Sequence, residues 1–329
     1  MMQFLAFGIR IGAMVASLAA TAIAPLAAQG TRAAVLLTLP TSTRALGLGD
    51  ASGAALADEW AVFLAPAQLA RVGTLAAGVA SESYLASTQL SALAFAVPAW
   101  RGTIGIGARL LDYGTVREIA SQLPGLDGVE TGRTVSAQDH SFVVGYARAL
   151  PRLRGIRAGA TVEFFRTRVA DLSGQGTTAS GGLAWTSPSG WDLAASVQHV
   201  GSGIRVGATF GELPQTWRAA VASPTVQVRN ARLKAMAELK RVRGGVTSGT
   251  LGGELIWVGI RGTGLSLRSA YSYRDRSDDR APLSIGAGVG LGRFTLDYAV
   301  ERFSRIDQVT HRVGLRFVRA SAGSASPAK

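Results

Sequence analysis

A chain of 329 residues without a single cysteine excludes a disulfide scaffold, a Cys-based metal site and a lipoprotein acylation site together. Its net charge of +13 at pH 7 would suit a nucleic-acid binder. However, the arginines stand singly within apolar–polar alternation and form no basic cluster, so no nucleic acid is expected as partner, whereas an outer-membrane lipid or lipopolysaccharide surface is. The hydrophobic residues, 47% of the chain, contain no run after residue 30 near the ~18 that a spanning helix requires.

Residues 1–28 read as a secretory signal peptide. Arg10 lies in the n-region, the apolar stretch 11–24 follows, and small residues precede the expected cleavage after Ala28. Residues 29–70 come next as an N-terminal hatch or plug. Within it, Gly47 and Gly49 permit positive φ or close backbone approach. Asp58 is placed to cap a short helix over 59–64, and Pro66 to end it. This element is expected inside the periplasmic mouth.

From 71 to 319 the chain alternates with a period of two. In 231–240, Leu233, Ala235, Ala237 and Leu239 alternate with Arg232, Lys234, Glu238 and Lys240. A helix would spread those charges around its circumference, whereas a strand gathers them on one face. Similar segments fall at 71–81, 88–98, 102–113, 138–149, 154–168, 178–187, 190–201, 215–223, 230–242, 247–259, 264–274, 282–291, 293–302 and 309–318. The expected fold is all-β, a transmembrane antiparallel β-barrel of about 14 strands. One set of connections is tight. The other is often longer, notably 114–137 and 202–214, and 173–182 reads as a surface loop running into a strand. Short periplasmic turns and longer outer loops give this pattern and place both termini in the periplasm of an outer-membrane protein.

Trp100, Trp185, Trp191 and Trp257 fall at the short-turn end, as an aromatic girdle would. The predicted lumen face carries Arg109, Arg157, Glu163, Arg232, Lys234, Glu238, Glu254, Arg268, Asp297, Glu301, Arg312 and Arg316. Such mixed signs either pair and seal the lumen or line a mildly anion-preferring channel. Residues 311–317 alternate up to Phe317 like an outer-membrane recognition strand, and the tail 320–329 is too rich in Ser and Ala to expect order.

No catalytic, cofactor or metal site emerges, so an enzyme is not expected. His140, His199 and His311 have no partner at metal-ligand spacing. The 274–280 stretch alternates Arg with Asp and reads as a self-neutralising loop. Gly105-Ile106-Gly107 and Gly286 to Gly290 precede no helix and read as strand glycines that ease curvature.

The stretch 43–70 carries a motif: Arg44, Ala45, Gly47 and Gly49, then Ala57-Asp58, then Pro66, Ala67, Leu69 and Ala70. It resembles the N-terminal signature of the PorV/PorQ family, whose barrels are related to FadL-type transporters, with Ala65 and Gln68 departing from the pattern. The resemblance implies an accessory or docking role in protein export of the type IX kind, with secretion-system proteins or exported cargo as partners. The FadL relationship implies the alternative, a transporter of a hydrophobic small molecule, which needs a continuous apolar path through the lumen. A structural, lipid-contacting barrel is the third reading.

Overall fold

The computed structural model describes residues 34–85, 88–120, 129–259, 263–275, 279–304 and 306–319. The expected signal peptide and the tail 320–329 lie outside them. In chain order the strands are β1 Ala76–Ser83, β2 Gln89–Ala99, β3 Gly102–Ala120, β4 Val129–Ala149, β5 Ile156–Val169, β6 Leu172–Thr186 and β7 Asp192–Val200. After two short strands, β8 Ile204–Val206 and β9 Thr209–Gly211, come β10 Thr216–Ala222, β11 Val226–Val228, β12 Ala231–Val242 and β13 Thr247–Val258. The last four are β14 Thr263–Arg274, β15 Leu283–Leu291, β16 Phe294–Phe303 and β17 Gln308–Val318.

Fourteen of these form a closed antiparallel meander: β1 to β7, β10 and β12 to β17. Closure comes from β1 pairing with β17; β7 pairs with β10 past the β8–β9 hairpin, and β10 pairs with β12 past the short β11. Full closure leaves no strand edge unpaired, as a lipid environment demands. Inward positions alternate with outward ones along most of the strands. On β14, Ser266, Arg268, Ala270 and Ser272 are buried, while Leu265, Leu267, Tyr271 and Tyr273 are exposed. The same inversion, apolar outside and charged inside, recurs around the wall, and such a surface is stable only under lipid.

Three expectations are corrected. The 114–137 connection is mostly strand, because β3 and β4 run on as a long hairpin, with 121–128 outside the described residues. Register shifts at 112–115 and 117–119 break the side-chain alternation there while the backbone ladder continues. The 173–182 stretch is likewise strand: β6 pairs with β5 along its whole length, across the two-residue turn Ala170-Asp171. Its Gly, Ser and Thr side chains hide a ladder that needs only backbone groups. Finally, the hatch is not confined to one mouth. Residues 34–72 run through the lumen from the end opposite the short turns, where Leu37 meets Phe165 and Ile204, to the short-turn end, where the Val72 carbonyl accepts from Thr103 Oγ1 at 3.0 Å. Ala34 therefore lies at the opposite end from Val318, whose N–H bonds the Arg293 carbonyl beside a short turn.

Candidate functional site

Local signals shape the plug. Ser42 accepts a hydrogen bond from the Ala45 N–H and so opens the helical turn Thr43–Gly47. The expected Asp58 cap is not formed: the helical turn spans Ala61–Leu64 with Trp60 at its N-cap and no side-chain cap, and Asp58 Oδ1 instead accepts from the Trp60 N–H in the turn before it. Pro66 ends that turn and also starts the 3-10 turn Pro66–Arg71, where its missing N–H costs nothing.

One side of the plug is fastened by charge. Arg44 grips Glu254 of β13 with two bonds of 2.9 and 2.6 Å and lies 3.6 Å from Asp58. Glu254 also accepts from Arg268, which reaches Asp297 at 2.6 Å. Arg316 of β17 clasps Glu59 at 2.8 and 3.2 Å. Arg218 of β10 joins Asp50 to Glu238, Lys240 adds a 2.8 Å bond to Asp50, and Glu238 also accepts from the Gly53 N–H at 2.8 Å. Arg312 bonds Glu82 and the Pro40 carbonyl. At the short-turn end Asp192 gathers Arg71, Lys234 and Arg157 at 2.8, 3.0 and 3.7 Å. Burial alone would raise the Asp50 carboxyl, but Arg218 and Lys240 outweigh it and hold it at about 2. Burial pushes the Glu59 carboxyl up, against the pull of Arg316.

The other side is apolar and close. Leu56, Trp60, Val62, Phe63 and Leu64 of the plug pack with Ala76 and Ala80 of β1, with Ala92, Ala94 and Ala96 of β2, and with Val143 and Ala147 of β4. Small wall residues let the backbones approach. A Cβ on Gly107 would stand 2.5 Å from the Phe63 ring, and one on Gly159 would collide with the Pro66 carbonyl. The apolar lining continues upward through Leu90 and Leu111, which pack on Leu36 and Leu39. Arg109 of β3 brings a positive charge into this half. It pairs with Glu163, donates to the Leu36 carbonyl at 3.1 Å and lays its guanidinium 4.7 Å from the Phe63 ring centroid. A cavity of 10 Å³ between plug and wall is lined by Gly53, Pro66, Gln68 and Arg218 and has room for about one water molecule.

Eleven of the twelve residues expected on the lumen face take part in these pairs or in the group where Arg274 and Arg280 approach Glu301 at 3.8 and 4.0 Å; Arg232 sits exposed at the short-turn rim. The 274–280 stretch thus sends two arginines inward, not only into a solvated loop; its residues 276–278 lie outside the described set. The motif residues all lie in the plug. Ala45 and Leu69 are fully buried, and Gly47 meets Gly286, where a Cβ would stand 2.9 Å from the Gly286 Cα. Gly49 has φ of +59°, in the left-handed region.

Trp100, Trp185, Trp191 and Trp257 are exposed beside the short turns. Trp217 faces outward near the other end, and Trp60 is buried in the plug. The histidines are separate: His140 faces outward on β4, His311 bonds Tyr298 at 2.6 Å on the outer face, and His199 is buried 3.9 Å from Glu163. Among the described residues no group of three His, Asp or Glu is arranged to hold a metal.

Sequence reasoning missed Asp50, Glu59, Arg71, Asp192, Arg218 and Lys240 as members of the charged site. Arg218 and Asp192 were accessible from strand parity, since Thr216, Arg218 and Ala220 share a face. Asp50 and Glu59 lie outside any periodic segment and gave no signal.

Several solved barrels share this fold. The Ralstonia pickettii toluene transporter TbuX aligns at TM-score 0.53 and 14% identity, over 83% of this chain and 98% of that one. The Pseudomonas putida toluene transporter TodX aligns at 0.56 and 10%, over 84% and 97%. A Pseudomonas aeruginosa FadL homologue aligns at 0.54 and 12%, over 84% and 98%. No family model matches the sequence, and no curated protein matches it either. At these identities the likeness is one of fold: the chain is a plugged 14-stranded barrel with the architecture of these transporters. The finer resemblance to PorV/PorQ rests on its motif residues alone.

Proposed function

We propose that the protein sits in the outer membrane, short turns in the periplasm, and lets small hydrophobic molecules cross it, with residues 34–72 as the gate. The observation that carries this reading is the division of the lumen wall. The inward row of β2 is Leu90, Ala92, Ala94 and Ala96, an apolar line through most of the wall. The charges that would repel an apolar solute are mostly gathered on the other side, in pairs. Small displacement of the plug from this line leaves an apolar path rather than a wet channel. The fold shared with two toluene transporters supports the same class of cargo. The test is accumulation of a toluene-class aromatic in cells whose lipopolysaccharide-bearing outer membrane carries this barrel. Faster uptake than in cells without it is expected; identical uptake contradicts the proposal.

A docking role in protein export is the second reading. It is favoured by the β3–β4 hairpin, whose strands of 19 and 21 residues outreach the 8 of β1 and present exposed Val116 and Ile119. Apart from the exposed Ala57, the motif residues are buried or half-buried within the barrel and offer little to an outside partner. Affinity capture from native membranes separates the readings: a stoichiometric protein partner lost on shortening the hairpin supports docking, and recovery of lipid alone removes it.

A further inference from the structure

On the outer face the strands β4, β5 and β6 present outward residues in matched rows. From the short-turn end upward these are Tyr146–Ala160–Gly181, Val144–Val162–Ala179 and Phe142–Phe164–Thr177. The next two rows are His140–Arg166–Gln175 and Gln138–Arg168–Ser173. The surface thus changes from apolar to cationic between one row and the next. A depression of 510 Å³ lies at the change, lined by His140, Phe142, Phe164, Arg166 and Gln175 among others.

The level of the change is informative. Ile156 pairs with Trp185 at the short-turn girdle, and Arg166 lies ten residues further along the same strand. At a rise of about 3.3 Å per residue and a tilt of about 40°, that is roughly 25 Å along the barrel axis, the height of the apolar band of a membrane barrel. Arg166 and Arg168 therefore stand at the headgroup level of the far leaflet, and Phe142 and Phe164 at the top of its acyl chains.

Three arginines near that end are neutralised: Arg117 by Glu130 at 2.8 Å, Arg133 by Asp171 at 3.2 Å and Arg302 by Asp307 at 2.7 Å. Among the described residues no carboxylate pairs with Arg166 or Arg168, and Arg168 donates only to the Ala170 carbonyl at 3.3 Å. Two arginines whose Cα atoms stand about 7 Å apart on one strand face, without counter-charge among the described residues and above an aromatic floor, are complementary to an acylated phosphate.

We propose that this depression binds a phosphorylated membrane lipid of the far leaflet, its phosphate on Arg166 and Arg168 and an acyl chain over Phe142 and Phe164. The inference rests on the membrane-spanning part of the proposed function, though not on transport. The test uses the full chain purified in an uncharged sugar detergent. Native mass spectrometry follows titration with bisphosphorylated lipid A, with diacylglycerol and with inorganic phosphate. Lipid A is expected to be retained far better than either control. R166Q/R168Q should lower its apparent affinity by about tenfold or more, as loss of charge-assisted hydrogen bonds implies, and R166K/R168K should restore part of it. F142A/F164A should weaken lipid A while leaving the phosphate control unchanged. Equal retention by R166Q/R168Q, or diacylglycerol or inorganic phosphate binding as well as lipid A, overturns the site. Heat-modifiable migration and recovery in outer-membrane fractions test the barrel separately, because neither uses the patch.

Discussion

The plug touches two unlike walls. Against β1, β2 and β4 it lays Trp60 and Phe63 onto alanines and glycines. Against β10, β12, β13 and β17 it meets Arg218, Lys240, Glu254 and Arg316, each paired with a plug side chain. Apolar contact is non-directional and tolerates sliding. Buried ion pairs are directional and leave a costly unpaired charge when one partner departs. The charged wall therefore fixes where the plug sits, and in the proposed transport the small-residue wall would line the path. The two walls also divide a sequence whose lumen residues, taken together, looked uniformly polar.

Breaking the charged wall should have the largest effect. Arg218→Leu leaves Glu238 without an ion-pair partner and Asp50 with Lys240 alone, which costs about 3–5 kcal/mol. It should expose residues 34–72 to added protease and raise uptake of an apolar probe. Overfilling the apolar wall should act in the opposite sense. Ala94→Leu is expected to destabilise by about 1–3 kcal/mol and to slow uptake without making the plug protease-sensitive.

Acid probes the charged wall without mutation. The Asp50 carboxyl is held down at about 2, so its contribution is full above the ordinary Asp value near 4 and is lost as pH falls through about 2. That amounts to roughly 2 kcal/mol, and plug protection should decline over this window and recover on neutralisation. Asp50→Asn should blunt the decline. Smallest of all, Trp257→Ala touches neither wall. It should change stability by about 0.5 kcal/mol or less, checked by the temperature at which the heat-modifiable form is lost.

Strand parity was legible because lipid outside and a charged plug inside impose opposite demands on alternate residues. That rule placed Glu254, Arg268 and Arg312 on the inward face from sequence alone. It was silent where side chains stop reporting the ladder, as in the Gly- and Thr-rich β6 and in the shifted registers of β3 and β4. The plug was visible as a stretch without strand periodicity, and the glycines of its motif foretold close approach. Its path was not legible, because Asp50 and Glu59 find partners more than a hundred residues away in sequence.

If the plug must leave its wall for a solute to pass, pinning it in place stops passage. The chain has no cysteine, so Thr43→Cys with Gly314→Cys introduces a single possible crosslink. A Cβ on Gly314 would lie 3.1 Å from the Thr43 Cβ, close to the spacing a disulfide spans. Uptake of a toluene-class aromatic should stop in the oxidised variant and return on reduction. Unchanged uptake through a barrel whose crosslink is shown to be complete would contradict the account.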